Sequence, residues 1–276
     1  MFENIKGRLK ENEALLDNEL SKIYDIFDDD YQELIHAQKY SLLSGGKRIR
    51  AFLTIEICRL FSNNTELAIP YACAIEMIHA SSLIHDDLPC MDDDDFRRGK
   101  PSCHKKFGES MALLAGDAMM MKAFEILPEN SMNFKATKIL SNATSSMLAG
   151  QAMDIYAATN LLTLEKLIKL HQNKTGMLIS AAAQLGCLAA NLDETDNRYK
   201  ALTQYAENIG LAFQIVDDIL DYKEGKRELN SFLSFMSLEE AQAYANDLTN
   251  KGIAAISNHD DGTLTALALY LTQREF

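Results

Sequence analysis

The chain has 276 residues, of which 47% are hydrophobic, and its formal net charge is −13. This length suffices for a substantial core, and because no Pro-, Gly- or Ser-rich linker interrupts the chain, we expect residues 1–276 to form one domain. The negative charge argues against nucleic acid as a partner, since phosphate backbones are bound by basic surfaces.

The N-terminal stretch MFENIKGRLKENEALL carries charges of both signs and lacks the apolar core of a signal peptide. No apolar run approaches the roughly 18 residues that a membrane-spanning helix needs. The five cysteines are scattered and include no CxxC pair, which is typical of reduced thiols rather than of disulfides or a zinc site. We therefore expect a cytoplasmic protein without an integral membrane segment.

Six segments are long, apolar and rich in Ala, Leu and Met, and they lack the alternating β-branched pattern of strands. They are residues 51–61, 69–85, 111–127, 135–158, 164–190 and 198–222. Several are apolar around most of their circumference, which indicates helices buried in the middle of a large bundle. The sequence therefore predicts an all-α fold.

The first polar motif, SGGKRIR at residues 44–50, places two glycines before Lys47 and Arg50, directly ahead of the helix at 51–61. A helix N-terminus suits a phosphate group, because its free backbone N–H groups and positive dipole end attract an anion. An ordinary helix start is the more common explanation of such a motif. Alone, it indicates a phosphate site only weakly.

The segment HDDLPCMDDDDFRRGK, residues 85–100, contains six aspartates, which are Asp86, Asp87, Asp92, Asp93, Asp94 and Asp95. Two unit charges ~4 Å apart repel by roughly 4 kcal/mol at an effective dielectric near 20, so a divalent cation is a natural counter-charge. Mg²⁺ prefers carboxylates together with water and substrate phosphates, and Arg97, Arg98 and Lys100 would bind further phosphate oxygens. Acidic runs are more often solvated loops, but this run directly follows an apolar stretch, residues 71–84, that is typical of a buried helix.

The spacing within this cluster needs a break in the helix. A continuous helix would rotate Asp92 by about 600°, away from Asp86, but Pro89 ends or kinks a helix. Geometry alone leaves both Asp92 and Asp93 open as the partner of Asp86. His79 lies on the same stripe as Asp86, about 10.5 Å along the axis, where it is either an ordinary core histidine or a ligand of a second phosphate.

A second carboxylate cluster, QIVDDILD, occupies residues 214–221. On a helix, Gln214, Asp217 and Asp221 fall within about 60° of one another, whereas the apolar residues occupy other faces. A solvated helix face is the alternative explanation. Two such clusters, each at the end of a buried helix, favour two sides of one metal site.

These motifs together resemble one family. SGGKRIR, EMIHASSLIHDDLPCMDDDDFRRGKPSCH, LLAGDAM, GQAMD, KTGMLI and FQIVDDILD, in this order, are similar to the short-chain trans-isoprenyl diphosphate synthases of the polyprenyl synthetase family, such as bacterial farnesyl and geranylgeranyl diphosphate synthases. The resemblance spans roughly residues 30–225. It implies a single-domain, all-α isoprenoid-synthase-type helical bundle around a deep central cavity, usually as a homodimer.

The resemblance also implies roles for residues. The principal metal ligands would be Asp86, Asp92 and Asp217. Asp87 and Asp221 would support them. They would hold three Mg²⁺ ions, with Mn²⁺ an open alternative. The allylic diphosphate would contact Arg97, Lys174, Thr175 and Gln214, with Lys174 counted among the catalytic residues. The isopentenyl diphosphate site matches Lys47, Arg50, His79 and Arg98.

The implied reaction is the head-to-tail condensation of isopentenyl diphosphate with dimethylallyl, geranyl or farnesyl diphosphate. Its products would be farnesyl or geranylgeranyl diphosphate and free diphosphate. Ser81 and Ser82 lie one turn before Asp86, where family members limited to fifteen carbons often carry a bulky aromatic side chain. Two serines leave room, so we expect that the product can exceed farnesyl diphosphate.

One segment departs from the family pattern. After Asp221 the chain is shorter, with Leu229 near the position of a family lysine and Ser231–Leu233 near a Thr-Tyr-Pro segment. Lys223, Lys226 or Arg227 could substitute for that lysine, and Arg274 lies where some relatives bring an arginine toward isopentenyl diphosphate. The departure keeps open a low-activity or non-catalytic member that binds prenyl diphosphates. A class I terpene cyclase is a further alternative, although it needs no isopentenyl site.

Overall fold

The computed structural model describes residues 2–25, 32–226 and 229–273. Arg227 and Arg274 lie outside these residues. Within them the chain is mostly helical, and the helices are α1 (Phe2–Ile23), α2 (Gln32–Leu42), α3 (Ile49–Phe61), α4 (Ile69–Asp86), α5 (Cys103–Phe107), α6 (Glu109–Glu125), α7 (Asn133–Ala157), α8 (Leu164–His171), α9 (Met177–Ala189), α10 (Asn197–Lys223), α11 (Leu238–Ile256) and α12 (Thr263–Thr272).

The all-α prediction is confirmed, and five of the six predicted segments correspond to α3, α4, α6, α7 and α10 with shifts of one or two residues at their ends. The sixth segment, 164–190, is interrupted. A π-helical turn, Gln172–Gly176, separates α8 from α9. Turns of this type are rare and often occur at functional sites.

Several helices begin at residues that satisfy their free N–H groups locally. The Asp196 side chain accepts a hydrogen bond from the Arg198 N–H (2.8 Å) at the start of α10. At α11, Ser237 and Glu240 form a capping box. Such caps each stabilise a helix by about 1 kcal/mol, so residues close to these boundaries help to determine where the helices begin.

Helices α4 and α9 occupy the centre of the bundle. Helix α9 packs against α3, α4, α7 and α10, whereas α4 packs against α3, α6 and α9. One hydrophobic cluster extends from Ile5 in α1 to Leu271 in α12, and a smaller cluster lies around α10, α11 and Phe232. The central position of α4 explains why its sequence is apolar on most sides.

The segment Thr65–Asp86 has the length and hydropathy of a possible membrane span, but 67% of its apolar window is buried inside the protein. It contains α4, whose neighbours α3, α6 and α9 cover it. These contacts are those of a core helix in a bundle.

A short antiparallel hairpin follows the first acidic cluster. Strand β1 (Phe96–Arg97) pairs with β2 (Lys100–Pro101), and the two turn residues, Arg98 and Gly99, have φ values of 54° and 74°. Positive φ at both central residues is the requirement of a tight two-residue hairpin turn. The hairpin therefore carries Arg97 and Arg98 on a defined turn rather than on a loose loop.

A buried arginine fixes the glycine-rich motif. Arg48 is only 3% exposed, and its guanidinium donates to Asp17 (2.8 Å) and to the Leu42 carbonyl (2.5 Å) and lies 3.6 Å from Glu76. Glu76 in turn accepts a hydrogen bond from the Ala51 N–H (3.1 Å) in the first turn of α3. Arg48 therefore has a structural role, and the other basic residues of the motif are the candidates for binding a ligand.

Candidate active site

A cavity of about 390 Å³ lies between α4, α6, α7, the π-helical turn and α9. Its walls include apolar side chains such as Leu83, Met91, Met147 and Leu178. Six of the residues predicted to form a site also line it, which are Arg50, His79, Ser82, Asp86, Lys174 and Thr175. The fold thus brings residues from four distant parts of the chain to one apolar cavity.

The first acidic cluster turns back on itself after α4 ends at Asp86. The Asp92 N–H donates to the Asp86 carbonyl oxygen (2.9 Å), and Pro89 lies outside the helix in the intervening turn. This turn brings Asp92, rather than Asp93, close to Asp86. Burial raises the pKa of Asp86 to about 6; Lys174 lowers it in opposition, and the charge of Asp92 raises it further.

The six aspartates fall into two groups. Within the described residues, Asp86 and Asp92 form no ion pair, whereas the other four each lie within 4.0 Å of a basic group. Burial raises the pKa of Asp92 as well. Two close carboxylates without a basic partner are a donor set that suits a hard divalent cation.

Asp87 occupies a different environment from Asp86. It is 2% exposed, and it accepts two hydrogen bonds from the Arg97 guanidinium, one of them from Nε at 2.9 Å. Arg97 also contacts the exposed Asp94 at 2.9 Å. In this structure the predicted metal ligand Asp87 and the predicted diphosphate ligand Arg97 are therefore partners of each other.

Asp93, Asp95 and His104 also offer potential ligand atoms within 4.8 Å of one another. However, the Lys105 ammonium lies 2.7 Å from Asp95 and 4.0 Å from Asp93. Hydrogen bonding to Lys105 lowers the pKa of Asp95. A cationic side chain therefore already balances this group, unlike Asp86 and Asp92.

Three of the four residues predicted for isopentenyl diphosphate lie close together. Arg50 and His79 line the cavity, and the Arg98 guanidinium donates to the Gly45 carbonyl oxygen. A side chain at Gly46 would collide with Arg98, so the glycine pair permits this approach. Burial lowers the pKa of His79 well below its usual value, and the charges of Arg50 and Arg98 lower it further. His79 is therefore a neutral imidazole beside two cations.

The fourth residue, Lys47, lies elsewhere. It is exposed, its ammonium lies 5.6 Å from the centre of the Tyr270 ring, and it lines a separate open cavity near α10 and α12. The Arg50 Nε is buried without a hydrogen-bond partner. Arg50 thus has unused hydrogen-bonding capacity in the cavity, whereas Lys47 is held at an aromatic ring.

The π-helical turn presents Lys174 and Thr175. The Lys174 ammonium pairs with Asp154 of α7 (2.5 Å), and the Thr175 hydroxyl donates to Gln214 of α10. Gly150 allows α7 to approach the turn, because a Cβ there would collide with the Lys174 backbone. The predicted allylic residues Lys174, Thr175 and Gln214 are therefore brought together.

Sequence reasoning assigned no role to two polar residues of α7. Asp154 pairs with Lys174, and Gln151 lines the cavity with both amide atoms buried and without a hydrogen-bond partner. Both belong to the GQAMD motif, and their i, i+3 spacing on a predicted helix would have placed them on one face. An unpaired buried amide that borders a cavity is a candidate ligand contact.

The second acidic cluster lies on α10. Gln214, Asp217 and Asp221 share a stripe as predicted, and Gln214 connects this stripe to Thr175. Asp221 pairs with Lys226 (2.6 Å), and Asp218 accepts a hydrogen bond from the Phe232 N–H (2.7 Å). Asp218 thus anchors the following segment. Asp217 and Asp221 stay the predicted metal ligands of this stripe, and Asp221 would have to exchange Lys226 for the metal.

The two serines before Asp86 have different surroundings. Ser82 lines the cavity, whereas Ser81 is fully buried and donates to the Ile78 carbonyl oxygen (2.8 Å). A larger side chain at Ser82 would enter the cavity. A larger side chain at Ser81 would enter the packed core.

Comparison with known proteins agrees with these observations. The polyprenyl synthetase family model matches residues 31–232. The chain is similar to farnesyl diphosphate synthase of Escherichia coli (strain K12), 41% identical over 87% of this chain and 89% of the relative. It is also similar to geranylgeranyl diphosphate synthase of Cyanophora paradoxa, 40% identical over 84% of this chain and 83% of the relative.

Two solved structures share the whole fold. An FPP/GFPP synthase from Zymomonas mobilis aligns with a TM-score of 0.90 and 35% identity, covering 99% of this chain and 100% of that one. A geranyltransferase from Legionella pneumophila aligns with a TM-score of 0.90 and 31% identity, covering 99% and 98%.

The pairing of Asp87 with Arg97 yields a stability prediction. In metal-free buffer, Asp87→Asn should lower the free energy of unfolding by about 1–3 kcal/mol, because it removes the charge from a buried hydrogen-bonded pair. Asp94→Asn, on the exposed side of the same arginine, should change it by less than about 0.5 kcal/mol. Urea denaturation measures both variants, and equal small effects would show that Asp87 does not hold Arg97.

Proposed function

Because this chain belongs to the polyprenyl synthetase family, we propose that its cavity condenses isopentenyl diphosphate with an allylic diphosphate to give farnesyl or geranylgeranyl diphosphate. One observation carries the proposal: the Asp86 carboxylate borders one apolar cavity together with two separate sets of basic groups, represented by Arg50 of α3 and Lys174 of the π-helical turn. A reaction between two diphosphate substrates needs both sets. We also infer a single domain, since the main core cluster includes residues from α1 to α12. The five free cysteines favour a cytoplasmic location, where thiols stay reduced.

Family members depend on metal ions, and the residues present suit Mg²⁺. Asp86 and Asp92 from one side and Asp217 from α10, supported by Asp221, supply the carboxylate oxygens that three Mg²⁺ ions would need. When bound, the ions stabilise the negative charge that develops on the departing diphosphate. Burial raises the pKa of Asp86 and the nearby charge of Asp92 raises it further, so a bound cation would favour the charged carboxylate.

The chain's own groups then orient the allylic substrate. Lys174 and Thr175 present an ammonium and a hydroxyl at the wall of the cavity, close to Asp86. Gln214 fixes the Thr175 hydroxyl, and Asp154 fixes the Lys174 ammonium. Arg97 would add a further contact by exchanging its exposed partner Asp94 for a phosphate oxygen.

A separate group of residues suits isopentenyl diphosphate. Arg50 has an unpartnered Nε, Arg98 stands beside Gly45, and neutral His79 donates a hydrogen bond without adding charge. Lys47 joins them if its ammonium leaves the Tyr270 ring. A terpene cyclase acts on one diphosphate and would not use this second group, which favours chain elongation.

The apolar walls protect the reaction. Ionisation of the allylic C–O bond gives a carbocation, which must meet the double bond of isopentenyl diphosphate before it meets water. Side chains such as Met91, Met147 and Leu178 exclude water from that space. The proton lost after the new C–C bond forms passes to the released diphosphate, so no protein base is needed.

We further propose that the protein acts as a homodimer through α6 and α7. Exposed apolar residues recur at heptad spacing on both helices, with Leu114 and Met121 on α6 and Phe134, Leu148 and Ile155 on α7. Such stripes favour packing against helices of a second copy. Their exposures, from 48% to 79%, are unusual for apolar side chains of this size on a free surface.

Elongation activity tests the proposal directly. Purified protein with Mg²⁺, isopentenyl diphosphate and each of dimethylallyl, geranyl and farnesyl diphosphate should give products of fifteen or twenty carbons. Asp86→Ala and Asp217→Ala should each lower turnover by about a hundredfold or more, because the leaving-group charge loses its stabilisation. Asp247→Asn, on the exposed surface of α11, is the matched control. No elongation with any primer would refute the proposed function.

The position of Ser82 predicts its effect on product length. Ser82→Phe should shift the longest product toward fifteen carbons, because the ring occupies the cavity. Ser81→Phe should instead lower stability by about 1–3 kcal/mol through overpacking, with little effect on product length. Chromatography of the dephosphorylated products measures the shift, and the reverse pattern would assign the chain-length role to Ser81.

The dimer has a separate test. Light scattering on a size-exclusion column should give twice the chain mass of 30.9 kDa for the wild type and about one chain mass for the double variant Met121→Glu/Ile155→Glu. Leu67→Glu, at a residue 45% exposed on the turn before α4, should leave the dimer intact. A wild-type protein that elutes as a monomer would exclude this interface.

A further inference from the structure

The segment between α10 and α11 departs from the family pattern, yet its described residues are firmly attached to their neighbours. The Asn230 side-chain amide donates to the carbonyl oxygens of Ala157 (2.6 Å) and Asn160 (2.9 Å). Its oxygen accepts from the Leu162 N–H (2.8 Å). One side chain thus satisfies three backbone groups in the connection between α7 and α8.

Phe232 is the central contact of this segment. Its side chain is fully buried, and its N–H donates to the Asp218 carboxylate (2.7 Å) on α10. Its ring stacks on His171, with 5.3 Å between ring centres and 21° between planes, and meets the edge of Tyr244 at 6.4 Å. Aromatic pairs of this kind add stability beyond that of their burial.

His171 joins these contacts to the cavity. It is the last residue of α8 and directly precedes the π-helical turn that carries Lys174 and Thr175. Burial lowers its pKa to about 4, against the opposing effect of Asp154, and its Nε2 has no hydrogen-bond partner. Near neutral pH, His171 therefore acts as an uncharged aromatic ring that packs against Phe232.

The π-helical turn needs such support. The π-helix is rare and appears mostly as single turns inside α-helices, so contacts from neighbouring elements help to hold this turn in place. Gly150 and Asp154 of α7 support the turn from one side, through close backbone packing and the Lys174 ion pair. The stack of His171 on Phe232 adds support that comes from the segment after α10.

We propose that Asp218, Phe232 and His171 form a latch that positions the π-helical turn, so that the segment after α10 controls the placement of Lys174 and Thr175. These three are positioning residues, since none of them lines the cavity. The kinetic consequence rests on the proposed function, whereas the structural consequence does not. The latch also gives Asp218 a role distinct from that of Asp217 and Asp221.

The first test measures amide hydrogen exchange in the full-length protein. Phe232→Ala and His171→Ala should speed exchange in the peptide that covers residues 172–178 by about tenfold or more, because the turn opens more often. His171→Phe keeps a stacking ring and should restore slow exchange. Leu264→Ala, a core truncation in α12, controls for general loss of stability. Unchanged exchange in both alanine variants would overturn the latch, whatever the enzyme's activity.

The second test measures kinetics. Misplacement of Lys174 and Thr175 should raise KM for the allylic diphosphate by about tenfold or more in His171→Ala and Phe232→Ala, with KM for isopentenyl diphosphate unchanged. His171→Phe should restore it, and the double alanine variant should be no worse than the more damaged single variant, because both disrupt one contact. Leu264→Ala should leave both KM values unchanged. Equal rises in both KM values would show a merely structural role, and an inactive wild type would refute the proposed function while leaving the exchange result valid.

Discussion

The site depends on the cost of holding carboxylates close together in a poorly solvated place. Asp86 ends an apolar helix that is buried in the bundle, and the turn after it brings Asp92 alongside. The neighbouring basic groups are committed elsewhere: Arg97 to Asp87, Lys105 to Asp95, and Lys174 to Asp154. The remaining negative charge makes this end of α4 attractive to a divalent cation, and through it to a diphosphate.

The basic residues form two separate sets, and electrostatic repulsion explains why. Two diphosphates cannot share one set of cations without repelling each other, and two sets of cations cannot be buried together without cost. In this protein one set of cations lies at the start of α3 and in the adjacent hairpin, and the other lies in the π-helical turn. Within the first of these sets, burial and the charges of Arg50 and Arg98 keep His79 neutral. This separation supports the proposal of two diphosphate sites.

The segment after α10 is shorter than in the family pattern, but it is firmly attached to its neighbours. A shortened connection suggests a loose lid, but Asn230 and Phe232 attach it to α7, α8 and α10 through hydrogen bonds and ring packing. The attachment ends next to the turn that carries Lys174. The altered segment is therefore part of the support of the site, which favours a catalytic member of the family over a binding-only one.

The sequence by itself determined the helical class and most helix boundaries and indicated the candidate carboxylates of the site, because apolar periodicity and carboxylate spacing are local properties. It also placed Gln214, Asp217 and Asp221 on one stripe. Only the tertiary structure decided which aspartates remain unpaired, since the partners of Asp87 and Asp95 depend on where the hairpin and α5 lie. The same holds for the turn that brings Asp92 close to Asp86, for Lys47 at the Tyr270 ring and for Ser82 rather than Ser81 in the cavity wall. Pairing, burial and close approach arise between residues distant in sequence, so local patterns cannot specify them.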